Sequence, residues 1–185
     1  MATQVELAAL NADIGGGVFA WITPGAFPVS ASTAFPAVGS SNSLTCTDFG
    51  FTIPGGSTID GIEVLYTLTS SGATAVRRLV ESQLWNGANI GTAKSPASSW
   101  ADQTLGGAAD VWGATLSPAI INSMAFGVRL IGSINPPISN PPDAVITVTS
   151  ITMTVYYTAG SSTTGASVLT GPLAQTRVLQ GMVLR

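Results

Sequence analysis

Apolar and polar residues alternate along much of the chain between residues 44 and 157. The clearest run lies between Ile59 and Ser70, where every second residue from Ile62 to Leu68 is apolar. A period of two predicts β-strands with one buried face. The predicted core combines the apolar faces of three such strands: Ile62, Val64, Tyr66, Leu68, Phe126, Val128, Leu130, Met153 and Val155.

The last predicted strand changes phase half-way along its length. Ile146 and Val148 lie at even positions, whereas Ile151 and Met153 lie at odd positions. A β-bulge inserts one extra residue into a strand and so exchanges its two faces. A bulge near Thr149 would therefore place both apolar sets in the core.

Another strand is predicted from Thr74 to Trp85, followed directly by Asn86-Gly87, a dipeptide that favours a tight hairpin turn. The inner face of this strand is predicted to contain Val76, Val80 and Leu84. Helix is predicted only at residues 117–123, where a capping Ser precedes Pro.

Short strands joined by turns, with almost no helix, are typical of an antiparallel β-sandwich. We predict an all-β sandwich of jelly-roll type, with its core at residues 44–158 and extended N- and C-terminal arms. Residues 1–43 are predicted to form an arm with edge strands. Within them, Gly15-Gly16-Gly17 lacks the strand-to-helix setting of a dinucleotide loop and is interpreted as a mobile segment.

The C-terminal residues 159–185 are predicted to form a linker and an assembly arm. The linker is rich in Gly, Ser and Thr, a composition typical of flexible connections. The arm has two charged residues, Arg177 and Arg185. Its apolar side chains are predicted to form a protein interface on a neighbouring subunit: Val168, Leu169, Leu173, Val178, Leu179, Met182, Val183 and Leu184.

Composition excludes several kinds of chemistry. The 185 residues include no histidine, one cysteine and 8% charged residues, with a net charge of −3. Without histidine there is no Ser-His-Asp or Cys-His arrangement, and the alternating pattern around Cys46 favours a small buried side chain over a reactive thiol. Six scattered bases offer no patch for phosphates, and there is no run of apolar residues long enough to cross a bilayer, so neither nucleic acid nor membrane is an expected partner.

The acidic residues do not form a recognisable catalytic or metal site. Asp60 and Glu63 are three residues apart on a predicted strand and therefore face opposite sides. Asp102 and Asp110 share a predicted loop and could hold calcium, but that ion needs about six to eight oxygen ligands. Solvated loop acids are the preferred interpretation.

Lys94 and the tryptophans are the other candidates for chemistry. The segment 91–95 resembles the end of a phosphate loop, but Ala93 stands where that motif needs Gly. The four tryptophans could form a platform for stacking sugars, although core or interface positions are the preferred interpretation: Trp21, Trp85, Trp100 and Trp112.

Four segments carry a resemblance to a known family: Phe49–Val64, Asp110–Gly113, Ile120–Val128 and Val155–Tyr157. Together they resemble the small β-sandwich virion proteins of tailed bacteriophages, over about residues 44 to 157. In this resemblance Pro54-Gly55-Gly56 makes a turn between strands, Gly61 permits close packing and Trp112-Gly113 plugs a sheet edge.

The resemblance implies a structural protein of the virion that has no enzymatic activity and no cofactor. The preferred role is a capsid decoration or cement protein that stabilises the shell by bridging capsid subunits. Its expected partners are the major capsid protein or neighbouring virion proteins, together with further copies of itself as a homo-oligomer. Its expected location is the virion, which assembles in the host cytoplasm. The alternative is a tail, collar or fibre component, with a host surface glycan as a candidate ligand.

Overall fold

The computed structural model describes residues 1–33, 39–72, 76–95, 100–135 and 144–160. These residues form twelve strands and one short helix. In chain order they are β1 (Ala2–Leu7), β2 (Leu10–Asp13), β3 (Trp21–Ile22), β4 (Val29–Thr33), β5 (Gly39–Ser40), β6 (Leu44–Thr47), β7 (Thr58–Gly72), β8 (Val76–Asn86), β9 (Asn89–Lys94), β10 (Gln103–Gly107), α1 (Pro118–Ile121), β11 (Phe126–Asn135) and β12 (Ala144–Thr158). The predicted arm interface at residues 166–185 lies outside the described residues.

The strands form two antiparallel sheets that pack as a sandwich. Sheet A has the order β10-β7-β12-β4-β3, and β1 pairs with β12 beyond the end of β4. Sheet B has the order β2-β6-β11-β8-β9, and β5 also pairs with β11. The four-strand sets β4-β12-β7-β10 and β6-β11-β8-β9 have the strand order of a jelly roll. The predicted fold class is therefore confirmed.

The core between the sheets contains the residues that alternation selects. All nine residues of the predicted core are buried, and six of them belong to the two long strands β7 and β12 of sheet A. The remaining members, Phe126, Val128 and Leu130, come from β11 in sheet B. A single core thus joins the central strands of both sheets.

The predicted bulge in β12 is present. Val148 pairs with Leu68 and Ser150 pairs with Thr67, so Thr149 has no partner on β7. Ile146 and Ile151, on either side of the bulge, are both fully buried. The extra residue therefore keeps the two halves of the strand on the core side.

The inner face of β8 differs from the prediction. Leu84 is buried as expected, but Leu79 is fully buried and Val80 is only half-buried. On β11, Ile131 pairs with Glu81 and Gly132 pairs with Leu79, which leaves Val80 as an extra residue in β8. The prediction for Val80 is wrong because this second bulge shifts the alternation; the side chain of Val76 lies outside the described set.

The one helical turn forms where the sequence predicts it. Ser117 is extended, and its hydroxyl oxygen accepts from the main-chain N–H of Ile120. Pro118 begins the helix and has no N–H to leave unpaired. Ile121 is buried against the core, which fixes the turn before β11.

Residues 1–33 are bound to the sandwich. Strands β1 and β2 form outer strands of the two sheets, and the chain crosses from one sheet to the other at Ala8, which is buried. The glycine segment is anchored as well: Asp13 accepts from the N–H groups of Gly15 and Trp21, and Asn42 accepts from that of Gly17. The side chains of Asp13 and Asn42 thus hold a segment that composition alone suggests to be mobile.

The bulge makes a specific prediction about deletions in β12. Deleting Thr149 should leave the protein folded, because it restores a regular alternation from Ile146 to Val155. Deleting Thr152 should instead turn Met153 and Val155 towards solvent, at about 1.5–3 kcal/mol for each side chain. Urea unfolding of the two variants compares these costs. Equal destabilisation by both deletions would contradict the role assigned to the bulge.

Candidate functional site

The acidic residues singled out from the sequence serve the fold and do not converge on a site. Asp102 accepts from the N–H of Leu68, at 2.8 Å, whereas the main-chain oxygen of Asp110 accepts from the N–H of Ile62. Six residues along one strand separate these anchors by about 20 Å, too far to share a cation. Within the described ranges there is no group of three Asp, Glu, Cys or His side chains that could hold a metal ion.

Asp60 and Glu63 both lie on β7, three residues apart. Asp60 accepts a hydrogen bond from the hydroxyl of Thr158, at 2.8 Å, at the end of β12. Glu63 lies on the outer face of sheet A, opposite Thr154. The expected opposite faces assume a regular strand, but Tyr156 pairs with Gly61 and Tyr157 with Ile59, which leaves Asp60 as an extra residue in β7. Ile59 and Ile62 are both buried, so the regular alternation behind that expectation is broken at this bulge.

Lys94, Asp110 and Trp112 form a cluster that closes one edge of the sandwich. The ammonium nitrogen of Lys94 lies 2.6 Å from a carboxylate oxygen of Asp110 and 4.9 Å from the ring centroid of Trp112. Trp112 is buried with its backbone in the left-handed region (φ 56°), and its indole N–H donates to the carbonyl of Ile62 at 3.0 Å. The Lys94 ammonium group is therefore engaged by Asp110 and Trp112 of the same chain, and the segment around it does not form a phosphate loop.

This ion pair changes the acidity of Asp110. The hydrogen bond from Lys94 holds the pKa of the Asp110 carboxyl below its ordinary value, and the N–H of Trp112 lowers it further, against the opposing effect of burial. The carboxylate accepts from the N–H of Trp112 at 2.8 Å. The cluster thus joins β9 to the segment that follows β10.

Most of the tryptophans are structural. Trp21 and Trp100 are buried with their ring centroids 6.3 Å apart, and Trp112 is buried in the edge cluster. The indole N–H of Trp100 donates to the carbonyl of Thr69, at 2.7 Å. Trp85 alone of the four is half-buried. The four rings therefore do not assemble into an exposed platform.

A buried polar contact between the sheets was not predicted from the sequence. Tyr66 in β7 and Ser82 in β8 share a hydrogen bond, and both residues are fully buried. Burial raises the pKa of Tyr66 and also that of the Cys46 thiol, so both groups stay protonated at neutral pH. Cys46 is a buried core residue, as the alternation suggests. The sequence around Ser82 gives no indication that this residue is buried, because a single Ser in a strand is more often exposed.

The exposed apolar side chains concentrate in the N-terminal strands. Seven of the nine large hydrophobic residues that are exposed among the described residues lie before residue 23: Met1, Val5, Leu7, Leu10, Ile14, Val18 and Ile22. In β1 the usual polarity is inverted, because Val5 and Leu7 are exposed while Gln4 and Glu6 are half-buried. Such a concentration marks a candidate interaction surface.

The basic residues of the described strands all lie in one of the two sheets. The strands of sheet A contain the acids Glu6, Asp60 and Glu63 and no Lys or Arg. All the bases of the described strands lie in sheet B: Arg77, Arg78, Lys94 and Arg129. The sequence carried this signal, since its first basic residue is Arg77. The apolar outer strand β1 therefore lies on the acidic sheet.

Comparison with known proteins adds little to this description. No protein-family model matches the chain, and no curated protein matches it. Among solved structures, the chain is similar to a family 11 carbohydrate-binding module of the cellulosomal cellulase Lic26A-Cel5E of Clostridium thermocellum. The identity is 10%, the match covers 85% of this chain and 89% of the module, and the TM-score is 0.26. At that TM-score the similarity supports no inference about function. In the described part of the chain, no helix is long and apolar enough to span a membrane.

The Lys94–Asp110 pair generates a pH prediction. The folded protein lowers the pKa of Asp110. The ion pair therefore contributes fully to the free energy of unfolding above the ordinary carboxyl pKa of 3.8, and this contribution is lost as pH falls through the lowered pKa. Both side chains are partly exposed, so the contribution is about 1 kcal/mol or less. Asp110→Asn should be less stable than the native protein at pH 7 and approach it in acid.

Thermal unfolding from pH 7 down to pH 2 measures this difference. Asp102→Asn is the matched control, because Asp102 caps the N–H of Leu68 and forms no ion pair within the described residues. A difference between the native protein and Asp110→Asn that is the same at both ends of the pH range would contradict the ionic origin of the contribution.

Proposed function

We propose that this chain is a structural protein of a tailed bacteriophage virion and that its preferred role is capsid decoration. The observation that carries the proposal is the inverted β1 strand: a jelly-roll sandwich presents Val5 and Leu7 to solvent. The polar residues with potential chemistry, such as Asp102, Asp110 and Lys94, are meanwhile occupied in holding loops and edges. The resemblance of residues 44 to 157 to phage virion proteins supports the same role.

A decoration protein works by adding binding energy across junctions between capsid subunits. Genome packing loads those junctions, and a clip that spans them resists the load without any reaction. Burying a Val or Leu side chain contributes about 1.5–3 kcal/mol, whereas an exposed ion pair contributes about 0–1 kcal/mol. With 8% charged residues, this chain is suited to bind its neighbours through apolar contacts.

The jelly roll suits this task mechanically. Its long strands β7 and β12 pair over most of their length, and β8 pairs with β11 in the facing sheet. Force applied along such strands is shared by many hydrogen bonds at once. Long pairing of this kind helps the domain to resist a load on the surface that binds a neighbour.

Copy number in purified particles tests the proposal. Quantitative mass spectrometry of particles produced from the genome that encodes this chain should find hundreds of copies per particle, with the major capsid protein as the internal standard. A few copies to a few dozen would favour a tail, collar or fibre component. Absence from the particles would contradict a virion role altogether.

A further inference from the structure

The free edge of β1 is the least protected strand edge in the described part of the molecule. Natural sheets usually shield their edges with short strands, charges, prolines, glycines or bulges. Strand β3 has two residues, and β2 has four and ends in Asp13. Strand β9 has an irregular register with β8 and ends in Lys94, and β10 ends in two glycines with positive φ. Strand β1 has six residues in unbroken register with β12 and no proline, glycine or bulge, and its one charged residue, Glu6, is half-buried.

The main-chain groups that point to this edge can be identified from the register. Ala8 donates its N–H to the carbonyl of Ile151, which continues the pairing of Leu7 with Thr152. Hydrogen-bonded and non-hydrogen-bonded pairs alternate in an antiparallel ladder. The even-numbered residues of β1 therefore bond to β12, and the N–H and C=O groups of Thr3, Val5 and Leu7 point away from it. No partner for these groups lies within the described residues.

The β1 edge exposes large apolar side chains, as protein interfaces commonly do. Val5 is 56% exposed and Leu7 is 60% exposed. Leu7 pairs with Thr152, which pairs with Leu65, so a third exposed apolar side chain lies two strands away on the same face. The polar side chains are turned the other way, because Gln4 accepts from the N–H of Thr52 and donates to Glu6.

We propose that the β1 edge binds the β1 edge of a second copy of this chain, so that sheet A continues across a twofold axis. The edge is self-complementary in one central register, in which Val5 lies opposite Val5 of the other copy and Leu7 lies opposite Thr3. Each of the three pairs then forms two main-chain hydrogen bonds. A shared patch of this kind is what closed twofold dimers require.

Charge is compatible with the same register. Glu6 of one copy lies opposite Gln4 of the other, whose amide group donates hydrogen bonds. A slip by two residues in one direction would instead bring the two Glu6 side chains opposite each other, which is unfavourable. The two Glu63 carboxylates are separated by about five strand spacings, roughly 24 Å, and that distance exceeds the screening length at physiological salt.

The role of this dimer in a particle rests on the proposed function. The pairing itself is tested on the purified protein alone. Sedimentation velocity should show a concentration-dependent dimer of the full-length chain. Val5→Pro removes the central N–H group of each copy while leaving the bonds to β12 intact, since a proline is tolerated where its nitrogen faces outwards. Losing two hydrogen bonds should raise the dissociation constant by roughly thirtyfold. Val5→Thr keeps the N–H group and is the matched control, with a much smaller effect expected.

Hydrogen exchange of the native protein gives a readout that needs no variant. The amides of Thr3, Val5 and Leu7 should exchange quickly in dilute solution and slowly in concentrated solution. The amides of Gln4 and Glu6, which bond to β12, should be protected in both. This alternation with concentration is specific to pairing at the β1 edge.

A third full-length variant distinguishes a second β1 strand from the C-terminal residues as the occupant. Leu173→Glu with Leu179→Glu alters only residues beyond the described ranges, and the proposal expects this protein to dimerise normally. Loss of its dimer, or protection of Thr3, Val5 and Leu7 at every concentration, would assign the edge to those residues and overturn the proposal. A native protein that stays monomeric, or a dimer that Val5→Pro leaves intact, would also overturn it. None of these results bears on copy number, so the proposed virion role can stand or fail separately.

Discussion

The antiparallel pairing of β7 with β12 is the contact on which the rest of the structure depends. These strands are the longest among the described residues, at 15 residues each, and they lie at the centre of sheet A. Their inner faces supply Ile62, Val64 and Tyr66 from one strand and the residues on both sides of the bulge from the other. Sheet B closes over this surface with β8 and β11, and the hydrogen bond between Tyr66 and Ser82 joins the two layers.

Several of the candidates for chemistry are attached to this central pair. Asp102 caps Leu68 near one end of β7, while Asp110 and Trp112 bind Ile62 near the other. Trp100 donates to Thr69 of β7 and to Thr147 of β12. The polar groups that could have formed a reactive site are thus used to fasten loops to the sheet. What the sheet leaves to solvent is the apolar edge of β1, and an interaction surface is the function that such an edge can support.

The sequence predicts the core of this fold well and its margins poorly, for a physical reason. Alternation identifies a strand only where one face is buried and the other is wet, as in β7, β11 and β12. It fails in β8, because an extra residue at Val80 exchanges the faces in mid-strand without a clear phase change. It fails in β1, because the residues that face solvent there are Val5 and Leu7.

The candidate interaction surface could not be located from the sequence for the same reason. Composition indicated a protein that binds others, and the first basic residue at position 77 hinted at an uneven distribution of charge. Only the register of β1 with β12 shows which main-chain groups remain unpaired and which side chains accompany them. The predicted interface at residues 166–185 stays a prediction, since it lies outside the described residues.

The proposed role of this jelly roll is that of a subunit of a viral shell, bound through its surface and catalysing no reaction. Cryo-electron microscopy of the intact particle tests it most directly. The account predicts density for the sandwich on the capsid at junctions between subunits, repeated with the symmetry of the shell. Density for this chain at the tail or collar alone would contradict the decoration role, and a particle without it would contradict the claim as a whole.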